Sequence, residues 1–197
     1  MAPRYGSDRG RCGPVVFIDA CVLYPWLTRG IVLGAAEAGL FTPRWSPRVL
    51  AEWRIAVARD GGTPAQSWVD TVVARMETNF PDARAVPDPE TEATLDLPDP
   101  ADIHVLAAAI AAGAEILLTF NLRDFPVRRL AAHGIAPRHP DGFLWELHSD
   151  APEAVGSAIR HAAAVIGAEE PAAIRRALRR AGLSRLAKAW FAGEATG

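Results

Sequence analysis

The sequence predicts an α/β fold on a central parallel sheet, followed by an all-helical extension. Three observations carry this. Residues 15–18 (VVFI) and 115–121 (EILLTFN) are short apolar runs of the kind that form strands covered on both faces. Helical patterns separate them, and strands alternating with helices build parallel sheets. After about Pro140 only helical patterns remain.

Residues 1–14 (MAPRYGSDRGRCGP) are polar and rich in Gly, Pro and Arg, which predicts a flexible tail with no apolar leader. The VVFI strand follows, and Gly30–Leu40 reads as a helix stopped at Gly39. Ser46 then Pro47 give an N-cap and first-turn signal, and Val49, Trp53, Ala56 and Val57 make a helical apolar stripe over 47–57. A further helix is expected over 64–79, ended by Phe80 and Pro81. Residues 81–100 read as a loop with one short strand near 84–86. In DPADIHVLAAAIAAG, residues 99–113, Asp99 caps a helix, Pro100 takes its first turn and Gly113 ends it. The 115–121 strand, a helix at 127–132 and a strand at 135–138 complete the alternation. Helices are then expected at 141–148, 152–166, 171–181 and 184–192. The organisation is a tail at 1–14, an α/β domain at 15–140 and a helical extension at 141–197.

The chain has 197 residues with a formal net charge of −2 and a pI near 6.2. A global basic charge is absent, so nucleic-acid binding would need a local patch. Lys188 is the one lysine among 21 basic residues. Cys12 and Cys21 form no metal-ligand pattern and no disulfide framework, which favours a reducing compartment, and no stretch is apolar enough to span a bilayer. The cytoplasm is the expected location.

Three acids stand where apolar or neutral residues are expected. Asp19 ends the first buried strand, where an unpaired carboxylate is costly. Glu52 falls on the edge of an apolar helical stripe. Asp102 opens a helix otherwise filled with Ile, Val, Leu and Ala. If the fold brings them together, their repulsion calls for a cation, and oxygen-only ligation suits Mg²⁺ or Mn²⁺ and phosphate chemistry. Singly, Asp102 can serve the helix dipole and Glu52 can pair with Arg48 at i−4. Asp99 is most simply an N-cap. Among the tryptophans, Trp53 and Trp145 fit the core, while Trp26 and Trp45 lie near loops, where packing competes with base stacking. His104 diverges from Asp102 around the helix and reads as a partly buried or rim histidine, not a metal ligand.

The segments FIDACVLY, SPRVLAEW, LPDPADIHVLAAAIAAGA and LLTFNLRDFP occur in this order. On these motifs residues 15–140 resemble PIN-domain nucleases and are most similar to VapC-type toxins of bacterial toxin–antitoxin pairs. The resemblance implies a PIN-like three-layer α/β/α fold, a Mg²⁺- or Mn²⁺-dependent endoribonuclease, an RNA substrate and a cognate antitoxin protein. It carries the family's acids onto Asp19, Glu52 and Asp102, with Asp19 and Asp102 as metal ligands and Glu52 ligating or orienting the attacking water. Asn121, where the family often has Asp, and the following Asp124 complete the catalytic set. Thr119 and Asp99 are the substrate-binding candidates. Ala101 replaces a further acid frequent in relatives.

Asn121 and Ala101 keep open a second reading, a PIN-like module that binds RNA or protein and cuts weakly. A haloacid-dehalogenase-like site would want an acid where Cys21 stands, and that site or a receiver-like one would want a lysine after a later strand. In the tail, Ile174, Leu178, Leu183, Leu186 and Trp190 form an apolar stripe that packs on the domain or closes a homodimer. Arg175, Arg176, Arg179 and Arg180 are its solvated side or reach RNA phosphates or an acidic antitoxin segment.

Overall fold

The computed structural model describes residues 13–194, with the backbone alone at 61–66. The tail expected at 1–14 falls, but for Gly13 and Pro14, outside the described residues, as does Cys12. The element order is β1 (Val15–Ile18), α1 (Ala20–Leu23), α2 (Trp26–Glu37), β2 (Thr42–Arg44), α3 (Pro47–Asn79), α4 (Pro89–Thr94), α5 (Ile103–Ala111), β3 (Ile116–Leu118), α6 (Val127–Ala131), β4 (Ala136–Arg138), α7 (Pro140–Asp150), α8 (Pro152–Ala164), α9 (Pro171–Arg180) and α10 (Ser184–Glu194).

The strands form one parallel sheet in the order β2-β1-β3-β4. β1 and β3 are central, and Val16, Phe17, Ile18, Ile116, Leu117 and Leu118 are fully or almost fully buried, as two-sided coverage requires. The architecture is three-layer α/β/α with helices added at the C-terminal end. Among the described residues no helix is long and apolar enough to cross a membrane.

Several elements differ from the sequence expectation. β2 was not expected: it is three residues long with Pro43 at its centre, which an edge strand tolerates because one side of its backbone needs no partner. The helix expected from Gly30 begins at Trp26. Residues 81–100 hold the short helix α4, and the strand expected near 84–86 is a single parallel bridge between Arg84 and Trp45. The 99–113 helix begins as a 3-10 turn at Pro100–Asp102 before α5 takes over.

The two helices expected at 47–57 and 64–79 are one run of helical backbone, α3, that folds back on itself. Trp53 and Trp68 meet edge to face with ring centroids 6.5 Å apart, and Arg54 pairs with Asp70 at 2.7 Å. At 1.5 Å per residue, a straight helix would hold such pairs about 22–24 Å apart. Between these contacts stand Gly61, Gly62 and Pro64, residue types that kink helices.

Arg29 holds the two arms of α3 against α1. Its guanidinium lies 4.8 Å from the Trp53 ring centroid, 5.0 Å from that of Trp68 and 5.5 Å from that of Trp26, and Nη1 donates to the Leu23 carbonyl at 2.5 Å. The side chain is buried with no carboxylate partner among the described residues, so desolvation lowers its pKa to about 10. The aromatic faces supply the stabilisation that a counter-ion would otherwise give. Trp26 stacks on Trp68 at 5.7 Å, and Trp45 is fully buried, so both serve packing.

The C-terminal helices share the hydrophobic core of the α/β part. α8 lies on α2 where Gly30 faces Ala162 and Gly34 faces Ala158. Asp141, at the start of α7, accepts hydrogen bonds from the Arg185 and Leu186 N–H groups, each at 3.0 Å, and so caps α10 from a neighbouring helix.

Candidate functional site

Ile18 and Leu118 are paired in register, so the residues that follow them leave the sheet side by side at its carboxyl edge. In open α/β sheets ligands sit there. Asp19 is buried and Thr119 fully so. The Asp19 Oδ2 accepts from Thr119 Oγ1 at 2.8 Å and from Cys21 Sγ at 3.0 Å. Thr119 Oγ1 in turn accepts the Asn121 N–H at 3.0 Å, and Cys21 Sγ accepts the Phe120 N–H at 3.2 Å. The chain after β1 is thereby tied to the chain after β3. Burial, aided by the Asp19 charge, pushes the Cys21 thiol up to about 12, so it stays protonated and serves as a donor.

Glu52 comes from the first arm of α3. Its Oε1 lies 2.8 Å from His104 Nε2 and 3.6 Å from Arg48 Nε. His104 is 3% exposed, and burial, aided by the Arg48 charge, lowers its imidazole to about 4. The ring is therefore neutral at pH 7 and donates its Nε2–H to Glu52, while Nδ1 is buried without a hydrogen-bond partner. Burial raises the Glu52 pKa against the influence of Arg48, and the charges of Asp19 and Asp102 raise it further.

Asp99, Asp102 and Asp124 form the tightest acidic group among the described residues. One carboxylate oxygen from each lies within 4.8 Å of the others. Asp99 also caps the 3-10 turn through Oδ1, which accepts the Ala101 N–H at 2.9 Å. Asn121 donates its side-chain amide to Asp124, and Arg123 Nε stands 3.5 Å from Asp124 Oδ1. Burial and then the charges of Asp19, Asp99 and Asp124 push Asp102 up to about 6.

Opposite oxygens on an ion with metal–oxygen distances of about 2.1 Å stand about 4.2 Å apart. The spacing and the all-oxygen donor set of this group fit a hard divalent cation. Asp102 belongs both to this group and to the metal pair expected from sequence. Asp19 acts on Asp102 through its charge, and Thr119 commits its hydroxyl to Asp19 and to the Asn121 backbone. Three further residues touch the acids: Cys21, His104 and Arg123. Cys21 follows Asp19 by two residues. His104 shares the signal that marked the acids, a polar side chain inside an apolar helix.

The raised pKa of Asp102 fixes a pH trend. Its ordinary value is 3.8 and its folded value is about 6. Below the first value it is neutral in folded and unfolded chains alike. Between the two values the folded chain retains a proton that the unfolded chain has released, so stability falls as pH rises through this window. The melting temperature of the protein in EDTA is expected to drop between pH 4.5 and pH 7 on account of this group, and Asp102→Asn is expected to flatten that drop.

A shallow cavity of about 360 Å³ opens beside Glu52, lined also by Ala20, Cys21, Tyr24, Trp53 and Arg59. A larger one of about 690 Å³ lies away from the acids, between α2, the second arm of α3 and α8.

The family model described as PIN domain matches residues 15–123. The curated protein named "Putative ribonuclease VapC50" from Mycobacterium tuberculosis (strain ATCC 25618 / H37Rv) is 44% identical over 57 residues, which cover 27% of this chain and 34% of that protein. The chain thus spans about a third of the length of this curated relative. No solved structure matches.

Proposed function

The chain belongs to the PIN-domain family, and we propose that it is a Mg²⁺- or Mn²⁺-dependent endoribonuclease, the toxin of a type II toxin–antitoxin pair whose cognate antitoxin restrains it. The observation that carries the reading is the concentration of acids at the carboxyl edge of the sheet: Asp99, Asp102 and Asp124 in one group, with Asp19 and Glu52 electrostatically coupled to Asp102. The name of the VapC50 relative supports the ribonuclease assignment.

Within this reading Asp102 and Asp124 would hold the ion, with Asp99 beside them and Asp19 completing the negative field. The ion, when bound, supplies charge neutralisation at the phosphoryl oxygens and an acidified water for attack. Glu52 accepts a proton from the attacking water, a task that its raised pKa suits, and His104 fixes the carboxylate by donating to Oε1. Thr119 and Cys21 hold Asp19 in one orientation. Asn121 orients Asp124 without adding charge. No side-chain nucleophile takes part.

Purified protein is expected to cleave single-stranded RNA internally when Mg²⁺ or Mn²⁺ is present and to lose all cleavage in EDTA, with recovery on adding the ion back in excess. Cleavage that persists in EDTA would overturn the mechanism. The second reading, an RNA-binding module that does not cut, draws on the neutral Asn121. RNA binding without cleavage at any Mn²⁺ concentration would favour it.

A further inference from the structure

We propose that the exposed face of α9, through Arg176, Arg179 and Arg180, holds the phosphate backbone of single-stranded RNA at the edge of the carboxylate site. The proposal rests on the ribonuclease reading and adds a substrate-binding surface from the C-terminal helices.

The first observation is position. α9 ends in a glycine turn at Gly182, where φ is 77°, the left-handed conformation that favours glycine. A Cβ at Gly182 would lie 3.7 Å from Phe120 Cε1. Phe120 stands between Thr119 and Asn121, so this turn abuts the strand-end loop that carries the site. Arg180 is two residues before Gly182, which keeps their Cα atoms within about 7 Å.

The second observation is the state of the arginines. Arg176, Arg179 and Arg180 are exposed, and none makes an ion pair or a side-chain hydrogen bond among the described residues. Other arginines of these helices are engaged: Arg175 lies over Phe191 at 4.5 Å, Arg185 over Trp145 at 4.4 Å, and Arg160 pairs with Glu194 at 2.8 Å. Residues 176, 179 and 180 share one helix face at i, i+3 and i+4, where like charges repel. The helix dipole accounts for Arg179 and Arg180 in the last turn but not for Arg176, four residues further back.

The third is electrostatic need. The chain is net acidic and its site is a nest of carboxylates, so a polyanion reaches it only along a local cationic path. Arginine's forked donors suit phosphate oxygens. The contact carries no base information, so the surface would position RNA of any sequence.

The test uses Arg176→Gln/Arg179→Gln/Arg180→Gln in the full chain, with glutamine keeping the helix propensity. Binding of a fluorescent single-stranded RNA oligonucleotide of mixed sequence is measured in EDTA, in the cleavage-impaired Asp19→Asn background, over a range of salt concentrations. The triple variant is expected to bind at least about tenfold more weakly at moderate salt, with a log–log salt slope shallower by about 2, since each phosphate that is no longer neutralised removes about 0.7 from the slope. In the otherwise wild-type chain with Mn²⁺, the same substitutions should raise KM and leave kcat unchanged. If RNA binding and its salt slope are untouched while the wild-type chain cleaves, the assignment is overturned and the ribonuclease reading stands. A triple variant that keeps RNA binding but loses affinity for a polyglutamate peptide overturns it too, and gives the face to an acidic protein segment. A wild-type chain that neither binds nor cleaves RNA overturns both.

Discussion

Replacing Asp19 by Asn is expected to reduce metal-dependent RNA cleavage by at least about 100-fold, the scale on which loss of one preorganised electrostatic group acts, and to relieve growth arrest on expression. Asp19 is buried at the end of a central strand with Thr119 and Cys21 both donating to it, and its charge raises both Glu52 and Asp102. Asn retains the shape and one acceptor oxygen, so the fold should survive. Removing one of several mutually repelling charges should leave the melting temperature in EDTA unchanged or higher, and should bring Asp102 back toward its ordinary pKa. The checks are a cleavage time course, thermal unfolding with and without Mn²⁺, and the pH dependence of stability. A folded Asp19→Asn protein that cleaves at the wild-type rate would refute the mechanism.

The legible parts of this molecule were those where one local signal agrees with the tertiary outcome. VVFI and EILLTFN announced central strands because a strand buried on both faces has no polar residue to interrupt it. Asp99 followed by Pro100 announced a helix start because the cap is made within three residues. β2 was illegible because an edge strand of three residues with a central proline carries no strand pattern; it exists because Val16 and its neighbours offer it a partner. The fold-back of α3 was half legible. Two helices were expected, at 47–57 and 64–79, with a break between them, but helical backbone persists through that break, and Arg29 among Trp26, Trp53 and Trp68 closes the arms through contacts that no local window contains. At the site, acids placed on apolar elements picked out Asp19, Glu52 and Asp102. Which atoms they meet depends on distant parts of the chain: His104 on Glu52, and Asp124 beside Asp99 and Asp102. Spacing along the chain does not encode those encounters.

The crossing of α2 and α8 is the place where a single methyl group should have its largest structural effect. A Cβ at Gly34 would lie 2.9 Å from that of Ala158, and one at Gly30 would lie 2.8 Å from that of Ala162. Real Cβ atoms essentially never approach so closely, so the helices would have to separate. Gly34→Ala gains up to about 1 kcal/mol of helix propensity and still is expected to destabilise by about 1–2 kcal/mol, while Gly34→Leu should cost about 3 kcal/mol. Ala158→Gly alone loses propensity and leaves a void. The double variant Gly34→Ala/Ala158→Gly moves the methyl across the interface and is expected to return to within about 0.5 kcal/mol of wild type. Denaturant midpoints of the four proteins decide it, and simple additivity of the two single losses would show that the helices do not meet this closely in solution.

The same crossing bears on the order in which the living chain is made. Gly30 and Gly34 leave the ribosome more than a hundred residues ahead of Ala158 and Ala162. At about 5–20 residues per second, α2 waits roughly 6–25 s for the helix that covers its small-residue face. Until then Ile159 and Ala162, both buried in the finished protein, are not yet synthesised, and the groove they fill stands open to water and to chaperones. Long-range pairings of this kind slow folding, so the α2 face stays uncovered in the nascent protein until α8 has formed.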